Sequence, residues 1–391
     1  MSRDLKIVSA AMLLWGFGEG LFFIFQPIYI QQLGADPILI GTILGINGLV
    51  MALAQIPSGY LADKIGRRPL MWFSFIAGFL ATFIMAWAPT LGFFVAGLLL
   101  YGLTSSVLAP LNTYIQSVRG RWSVGKAVSF VFAMYNLGGV LGPVVGGVLG
   151  ERFDLRSVYF FSAGIFTLSA IIILFAKDQS KDEVPSIAGD GHLLQNKRFV
   201  GMLGLSFLVM VAVVLPQPFA ANFLQNQQSL SISQIGRLGS IGALGSVLLM
   251  LVLGHLRTGY AMLIGEVAVM FYAALLWLGG GIFWYGLGFF FLGGFRLCRA
   301  MTVALVQPLV RKHEVGLAFG FVESLNSLAM MVAPILAGVL YTWQPISVFP
   351  VAVGVLGMTA LLTLRLERKN ILISDEINAD PVMNNEEIKD A

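Results

Sequence analysis

Six ionisable side chains interrupt stretches of this sequence that are otherwise apolar: Glu19, Arg237, Glu266, Arg296, Arg299 and Glu323. A charge placed in hydrocarbon costs about 2.5–3.5 kcal/mol on insertion scales, so such residues are kept where they bind, pair or exchange protons. Carboxylates at such positions carry protons or hold cations, and guanidinium groups hold anions. These residues are therefore the first candidates for function.

Glu19 stands near the middle of its apolar stretch, in the run Trp-Gly-Phe-Gly-Glu-Gly at residues 15–20. The flanking glycines leave room for a solute or for solvent beside the carboxyl group. A carboxyl group inside a membrane span can take up and release a proton. We predict that Glu19 couples transport to protons or binds a cationic solute. The alternative is a structural hydrogen bond to a neighbouring helix.

Arg299, Glu266 and Glu323 lie at similar depth, because each falls about seven to nine residues from the same end of its apolar stretch. This depth predicts a buried ion pair of Arg299 with Glu323 or with Glu266. Arg296 lies one helical turn from Arg299 and nearer the middle of its stretch. We predict that Arg296 binds an anionic group or opposes Glu19 across a cavity; the alternative is a share in the same ion-pair network.

Neutral polar residues in other apolar stretches extend the list of solute-binding candidates: Gln26, Asn112 and Gln217. The alternative for each is a hydrogen bond between neighbouring helices. The sequence has one cysteine and three scattered histidines, and it carries no nucleophile–base pair, metal-ligand cluster or phosphate-binding loop. We therefore expect no catalytic residues, no metal, no cofactor and no enzymatic activity.

The elements that position these residues are predicted membrane spans. Hydrophobic residues make up 57% of the chain and charged residues only 11%, whereas a soluble domain has about 25% charged residues. This composition excludes a soluble enzyme, a nucleic-acid-binding domain and a disordered chain. Since a span needs about 20 apolar residues, we predict an all-α membrane protein with twelve transmembrane helices at residues 7–33, 38–61, 70–88, 91–117, 127–150, 157–176, 199–224, 232–256, 259–279, 282–308, 315–341 and 346–364.

The basic residues predict the orientation of these spans. With twelve spans and the N-terminus inside, nineteen of the 24 Lys and Arg residues fall on the cytoplasmic side and only Arg152 and Arg156 fall outside. This asymmetry follows the positive-inside rule. We expect a multi-pass protein of the plasma membrane with both termini in the cytoplasm, and we expect the net charge of +4 to reflect topology rather than nucleic acid binding.

The chain divides into two similar halves. Residues 1–176 form a predicted N-terminal six-helix half, 177–198 a cytoplasmic linker, 199–368 a C-terminal six-helix half and 369–391 a disordered cytoplasmic tail. An offset of 191 aligns Pro143 with Pro334 and 147–149 with 338–340, and an offset of 195 aligns Gly41 with Gly236. Such matches predict a pseudo-two-fold repeat, which in transporters places a solute site between the halves.

Residues 59–69 follow the second span and read Gly-Tyr-Leu-Ala-Asp-Lys-Ile-Gly-Arg-Arg-Pro. Gly59 and Gly66 permit close packing and a tight turn. Asp63 lies at the carboxyl end of a helix, where the helix dipole disfavours an anion, so it needs the neighbouring Arg67 and Arg68. Such a charged cluster can hold the cytoplasmic ends of the two halves together; the alternative is a simple topology anchor.

The fifth span carries a second pattern of small residues, formed by Gly138, Gly142, Pro143, Gly146 and Gly147. The glycines allow close helix packing and the proline bends the helix.

The first pattern resembles the Gly-x-Leu-Ala-Asp-Arg/Lys-x-Gly-Arg-Arg/Lys signature of the major facilitator superfamily. The second resembles the Gly-x-x-x-Gly-Pro-x-x-Gly-Gly motif of the drug:proton antiporters in that superfamily. The resemblance implies two six-helix halves that rock about a central cavity, with residues 59–68 acting as a conformational switch. One departure is Leu98, which stands where those antiporters carry an arginine associated with proton transfer.

We therefore predict a secondary active transporter that moves a small organic solute by alternating access, as a proton-coupled efflux protein. The alternative is a proton symporter or facilitator that imports a polar or anionic solute. The third hypothesis belongs to a different class of function, a membrane enzyme or a non-transporting receptor. Expected partners are the solute, protons and the lipid bilayer, with no nucleic acid, and the expected state is a monomer.

Overall fold

The computed structural model describes residues 1–177, 195–310 and 315–379, and within these it describes 56–60, 62–63, 65, 108–109, 315–317 and 368–379 by backbone alone. Within these ranges every regular element is helical. Eleven helices or helix pairs in the described chain are long and apolar enough to cross a membrane, and the bent pair Leu91–Val107 and Pro110–Val118 supplies a twelfth. The prediction of twelve helical spans is confirmed.

The first six spans comprise eight helices: α1 (Arg3–Phe22), α2 (Gln26–Gln32), α3 (Pro37–Ile65), α4 (Arg67–Trp87), α5 (Leu91–Leu103), α6 (Leu108–Val118), α7 (Val124–Arg152) and α8 (Leu155–Leu174). A short 3₁₀ turn at Phe23–Phe25 separates α1 from α2, which together form one span. Pro27 stands in the first turn of α2, where a helix tolerates proline because that N–H has no partner in any case.

The second six spans repeat this arrangement with eight helices: α9 (Lys197–Val214), α10 (Ala220–Asn226), α11 (Ile232–Leu253), α12 (Thr258–Leu278), α13 (Ile282–Leu292), α14 (Gly294–Val306), α15 (Val315–Trp343) and α16 (Val348–Ala379). The break between α9 and α10 holds Gln217 and Pro218, the counterparts of Gln26 and Pro27. Pro143 lies inside α7, and its counterpart Pro334 lies inside α15.

The structure describes only parts of the predicted linker and of the predicted C-terminal tail. Residues 178–194 of the predicted linker lie outside the described residues. Helix α16 continues to Ala379 and so extends into the segment predicted as a disordered tail. Residues 380–391 of that tail lie outside the described residues.

Aromatic side chains fill the interior of the first half. The ring of Trp15 on α1 meets Phe75 of α4 edge-on at 4.8 Å and Phe166 of α8 at 4.6 Å between centroids. The ring of Tyr101 of α5 is stacked with Trp15 at 6.2 Å between centroids. This cluster fixes the depth and rotation of α1 and thereby positions Glu19, one turn further along the helix.

The two halves meet along two long helix pairs, α3 against α15 and α7 against α11, and at a shorter contact between α2 and α10. We call the end of the bundle at which α1 begins the proximal face, and the opposite end the distal face. The α2–α10 contact lies at the distal face. There Asn222 Nδ2 donates to the Pro27 carbonyl at 3.2 Å and to Gln31 Oε1 at 2.6 Å.

Candidate functional site

Glu19 lies at the contact between α1 and α7. Its Oε2 accepts a hydrogen bond of 2.8 Å from the hydroxyl of Tyr135. The glycines beside it permit this approach, because a Cβ atom on Gly16 would come within 3.0 Å of the Tyr135 backbone and one on Gly20 would lie 3.1 Å from Gly142 Cα. The side chain of Glu19 as a whole is half-buried.

The second half contributes a cation to the same place. Arg296 of α14 donates from Nη1 to Asn136 Oδ1 of α7 at 3.2 Å. Its guanidinium carbon lies 6.0 Å from the centroid of the Tyr135 ring, and its side chain is exposed. Glu19, Tyr135, Asn136 and Arg296 thus form one group, which we call the central cluster. It brings a carboxyl group of one half near a permanent cation of the other.

The guanidinium of Arg296 has spare hydrogen-bonding capacity. In the described part of the chain, Arg296 has no carboxylate within ion-pair distance, and Glu19 is bonded to Tyr135 instead. Of the five N–H donors that an arginine offers, one is directed to Asn136. An oxyanion entering the space between the halves would therefore find donors in a planar fork.

Arg299 lies one turn further along α14 and is already paired. Its Nη2 lies 2.9 Å from Glu323 Oε2 on α15, and the two side chains are 30% and 34% exposed. Asn326 donates to Thr302 at 3.4 Å one turn along the same two helices. The pair therefore belongs to a polar seam between α14 and α15 inside the second half.

Of the two predicted partners of Arg299, Glu266 does not form the ion pair, which corrects its place in the predicted set. Glu266 on α12 is fully buried and its Oε1 accepts a 2.7 Å hydrogen bond from Thr363 of α16. Its Oε2 has no hydrogen-bond partner among the described residues. The side chain points toward α16 rather than toward Arg299, because α12 packs against α16 as well as against α14.

The three neutral polar candidates lie at separate places. Gln26 begins α2, distal to Glu19, and is buried. Gln217 donates to the Val213 carbonyl of its own chain segment at 2.5 Å. Asn112 on α6 is half-buried, and its Oδ1 has no hydrogen-bond partner in the described ranges. The contacts described for these residues do not join them to the central cluster, and their role in solute binding stays a prediction.

Asn136 is the member of the central cluster that sequence reasoning missed. The available signal was an amide side chain in the middle of an apolar span, which is uncommon unless the amide bonds another helix.

The glycine-rich pattern of α7 faces two helices. A Cβ atom at Gly138, Gly142 or Gly146 would come within 3.0 Å of a carbonyl oxygen of α1. Gly147 faces α11 of the other half, where a Cβ atom would lie 3.1 Å from Ser233 Cα and 3.2 Å from Gly236 Cα. The pattern therefore serves packing within the first half and contact between the halves.

The predicted switch loop is described in part. Gly66 has φ +99°, a left-handed conformation that favours glycine, and α4 begins at the next residue, Arg67. The guanidinium of Arg68 lies 4.1 Å from the centroid of the Trp72 ring. The surroundings of Gly59 and the side chain of Asp63 lie outside the described residues, so their part in a switch stays a prediction.

Leu98 occupies the position where the antiporter pattern has an arginine, and it is fully buried in the first half. It contributes packing, and the cation of the central cluster comes from Arg296 on the other half.

Comparison with known proteins agrees with this architecture. The family model described as Major Facilitator Superfamily matches residues 8–293 and, in a second match, residues 202–379. An uncharacterised MFS-type transporter of Methanocaldococcus jannaschii is 23% identical over 90% of this chain and 95% of its own length. The class B tetracycline resistance protein of Escherichia coli is 24% identical over 87% of this chain and 89% of its own length.

Among solved structures, the nucleoside transporter NupG superposes with a TM-score of 0.79 at 17% identity, covering 93% of this chain and 98% of that one. At this identity the superposition shows a shared fold. The doubled family match agrees with the internal repeat of the sequence. The chain is a multi-pass membrane protein that belongs to the major facilitator superfamily of transporters.

Proposed function

We propose that this protein is a secondary active transporter that exports a small organic solute in exchange for protons, with Glu19 as the proton-exchanging group. The observation that carries the proposal is the central cluster, in which the Glu19 carboxyl group bonds Tyr135 and faces the cation of Arg296 from the other half. Gain or loss of a proton at Glu19 changes the charge that Arg296 experiences, and so changes the interaction between the halves.

The direction of transport is supported by the relatives. The family consists of transporters, and one relative that matches over most of its length is named a tetracycline resistance protein. Resistance to a small organic compound fits a protein that moves such compounds out of the cell. The glycine-rich pattern of α7, similar to that of drug:proton antiporters, supports the same direction.

We further propose that the protein lies in the plasma membrane as a monomer with both termini in the cytoplasm. The strong excess of Lys and Arg on the proximal side supports this orientation. The distal face then lies outside the cell. Residues 1–176 and 199–368 act as the two moving halves, and residues 59–68 act as the switch at their cytoplasmic ends.

A second candidate function is favoured by Arg296. An exposed guanidinium with unused donors inside a membrane protein suits an oxyanion of the solute. An anion bound there would favour a protonated, neutral Glu19 nearby, because the two negative charges repel. Solute and proton would then travel together, as in a symporter that imports an anionic compound.

A charge-class screen separates these candidates. Purified protein is melted in the presence of cationic, neutral and anionic organic solutes, and the solute that raises the Tm most becomes the transport probe. Stabilisation by cationic or neutral solutes supports the efflux proposal. Stabilisation by anions that is lost in Arg296→Gln supports the symport candidate.

The transport experiment uses proteoliposomes with an imposed pH gradient and the probe chosen in this way. We expect Glu19→Gln to abolish gradient-driven transport, because an amide cannot exchange the proton. The matched control is Glu266→Gln, the same chemical change at a buried carboxyl group outside the central cluster. Gradient-driven transport in Glu19→Gln at the parental rate would exclude Glu19 from coupling.

A further inference from the structure

The last turn of α7 reaches across the distal face to the other half. The Oε2 atom of Glu151 accepts one hydrogen bond of 2.8 Å from the hydroxyl of Ser231 and another of 2.8 Å from the backbone N–H of Ser233. Glu151 belongs to the first half, whereas both serines begin α11 of the second half. A carboxylate of one half therefore caps a helix of the other.

The site that Glu151 fills is the amino end of α11. Ser231 is the N-cap residue of this helix and forms a reciprocal capping pair with Gln234. The first N–H groups of a helix have no partner within the helix, and the helix dipole favours an anion there. Arg237, one turn into α11, lies 3.5 Å from the Ser233 hydroxyl and adds positive charge nearby. Hydrogen bonds to a charged acceptor are stronger than neutral ones.

The pseudo-symmetric position on the other side of the molecule lacks this contact. In the internal repeat, Thr342 of α15 is the counterpart of Glu151, and Asp36, which precedes α3, is the counterpart of Ser231. Asp36 Oδ1 accepts from Leu39 N of its own helix at 2.8 Å. Thr342 donates to the Gly338 carbonyl of its own helix at 2.9 Å. The α7–α11 contact therefore carries a charged bond between halves where the related α3–α15 contact has bonds within each helix.

The remaining distal hydrogen bonds between the halves, in the described part of the chain, are neutral. They join Gln31 to Asn222 at 2.6 Å and to Asn226 at 3.1 Å, and Asn222 to the Pro27 carbonyl. These amides and the Glu151 carboxylate all belong to contacts between the halves at the distal face. Opening of the distal face separates all of them, and the Glu151 contact is the charged one among them.

We infer that Glu151, Ser231 and Ser233 form a distal latch that holds the two halves together and sets the cost of opening the distal face. The inference rests on the proposed alternating access, in which α7 and α11 must separate at this end. In the opened state the Glu151 carboxylate is hydrated and the first turn of α11 loses its cap from the other half. Removing the carboxylate therefore shifts the population toward the distal-open state.

The test measures the separation of the two halves directly. Gly92 at the start of α5 and Gly280 before α13 are exposed positions at the distal face, and a Cβ atom at either has no atom within 4 Å. Spin labels on Gly92→Cys and Gly280→Cys report the distance between the halves by pulsed electron resonance in lipid nanodiscs. The native Cys298 is fully buried and stays in place, and the chain without the two new cysteines controls for its labelling.

We expect Glu151→Gln to raise the ratio of distal-open to distal-closed molecules about two- to fivefold, because the contact is exposed to solvent, and Glu151→Ala to raise it at least as much. Glu151→Asp keeps the charge but shortens the reach, and gives a smaller increase than Glu151→Ala. The matched control is Arg152→Gln, which changes the charge of the neighbouring residue and leaves the ratio at the parental value. Identical distance distributions in Glu151→Ala and Arg152→Gln would overturn the inference.

The exposed position of Glu151 makes a folding defect easy to separate from a gating effect. An unchanged melting temperature together with a longer label distance supports the latch, whereas a lowered melting temperature with parental distances counts against it. The outcome is also independent of coupling. A shifted distance ratio supports the latch even where Glu19→Gln retains full transport, and loss of coupling in Glu19→Gln supports the proposed function even where the distances do not move.

Discussion

Gly41 of α3 packs against the carbonyl group of Pro334 in α15, so closely that a Cβ atom on Gly41 would come within 3.0 Å of the carbonyl oxygen. The pseudo-symmetric Gly236 of α11 stands in the same relation to Pro143 of α7. Proline inside a helix bends it, and glycine on the partner lets the bent segment approach. The two interfaces between the halves are thus built from one repeated contact.

This contact predicts that a single methyl group destabilises the interface between the halves. We expect Gly236→Ala or Gly41→Ala to lower the free energy of unfolding by about 1–3 kcal/mol, because the added atom overlaps a backbone carbonyl. Thermal melting in detergent measures the effect. The control is Gly204→Ala in α9, where a Cβ atom meets nothing within 4 Å. Equal melting temperatures for Gly236→Ala and Gly204→Ala would contradict the prediction.

The repeated glycine–proline contact explains why so much of the fold was predictable from the sequence. Glycine and proline act through the backbone, so the sequence must keep them wherever helices cross closely or bend. Glycine is therefore found at the equivalent positions Gly41 and Gly236, and proline at Pro143 and Pro334. The apolar length of each span and the placement of basic residues supplied the rest of the architecture.

The side-chain partners of the site were less predictable. Counting residues along a span gives depth, and it predicted Arg299, Glu323 and Glu266 at one level; of these, Arg299 and Glu323 form an ion pair. Each residue also turns the helix by about 100°, and the neighbour that a side chain meets depends on how every helix is rotated against the others. Sequence alone therefore left Glu323 and Glu266 as equal partners for Arg299 and gave no reason to single out Asn136.

The Arg299–Glu323 pair predicts energetic coupling between α14 and α15. Because both side chains are about one-third exposed, we expect a modest interaction energy of about 1 kcal/mol. A double-mutant cycle of Arg299→Gln and Glu323→Gln, followed by chemical unfolding, measures it. The double variant should lose less stability than the two single variants combined. Strict additivity of the two changes would show that the pair contributes no coupling.

Glu266 should behave as a hydrogen-bond acceptor rather than as a charge. Its Oε1 accepts from Thr363, and a glutamine side chain can present the same carbonyl oxygen. We expect Glu266→Gln to leave the free energy of unfolding within about 0.5 kcal/mol of the parental value. Glu266→Ala should lower it by about 2 kcal/mol, because the Thr363 hydroxyl loses its acceptor and a cavity remains. Loss of stability in Glu266→Gln as large as in Glu266→Ala would indicate that the residue is needed as an ion.

The hydroxyl of Tyr135 should affect the rate and pH dependence of transport through its hydrogen bond to Glu19, without exchanging the proton itself. Tyr135→Phe keeps the ring beneath Arg296 and removes the hydroxyl that donates to Glu19 at 2.8 Å. We expect gradient-driven transport about tenfold slower, with an altered dependence on pH, because a hydrogen bond to a carboxyl group is worth about 1.5–3 kcal/mol when the group is charged. Unlike Glu19→Gln, the variant should still respond to the gradient.

The control for this change is Tyr272→Phe in α12. The hydroxyl of Tyr272 is buried and has no hydrogen-bond partner in the described ranges, so its removal costs no hydrogen bond and leaves transport at the parental rate and pH profile. Initial rates in proteoliposomes across a series of internal and external pH values distinguish the two variants. If Tyr135→Phe and Tyr272→Phe give the same pH profile, the Tyr135–Glu19 hydrogen bond plays no part in coupling.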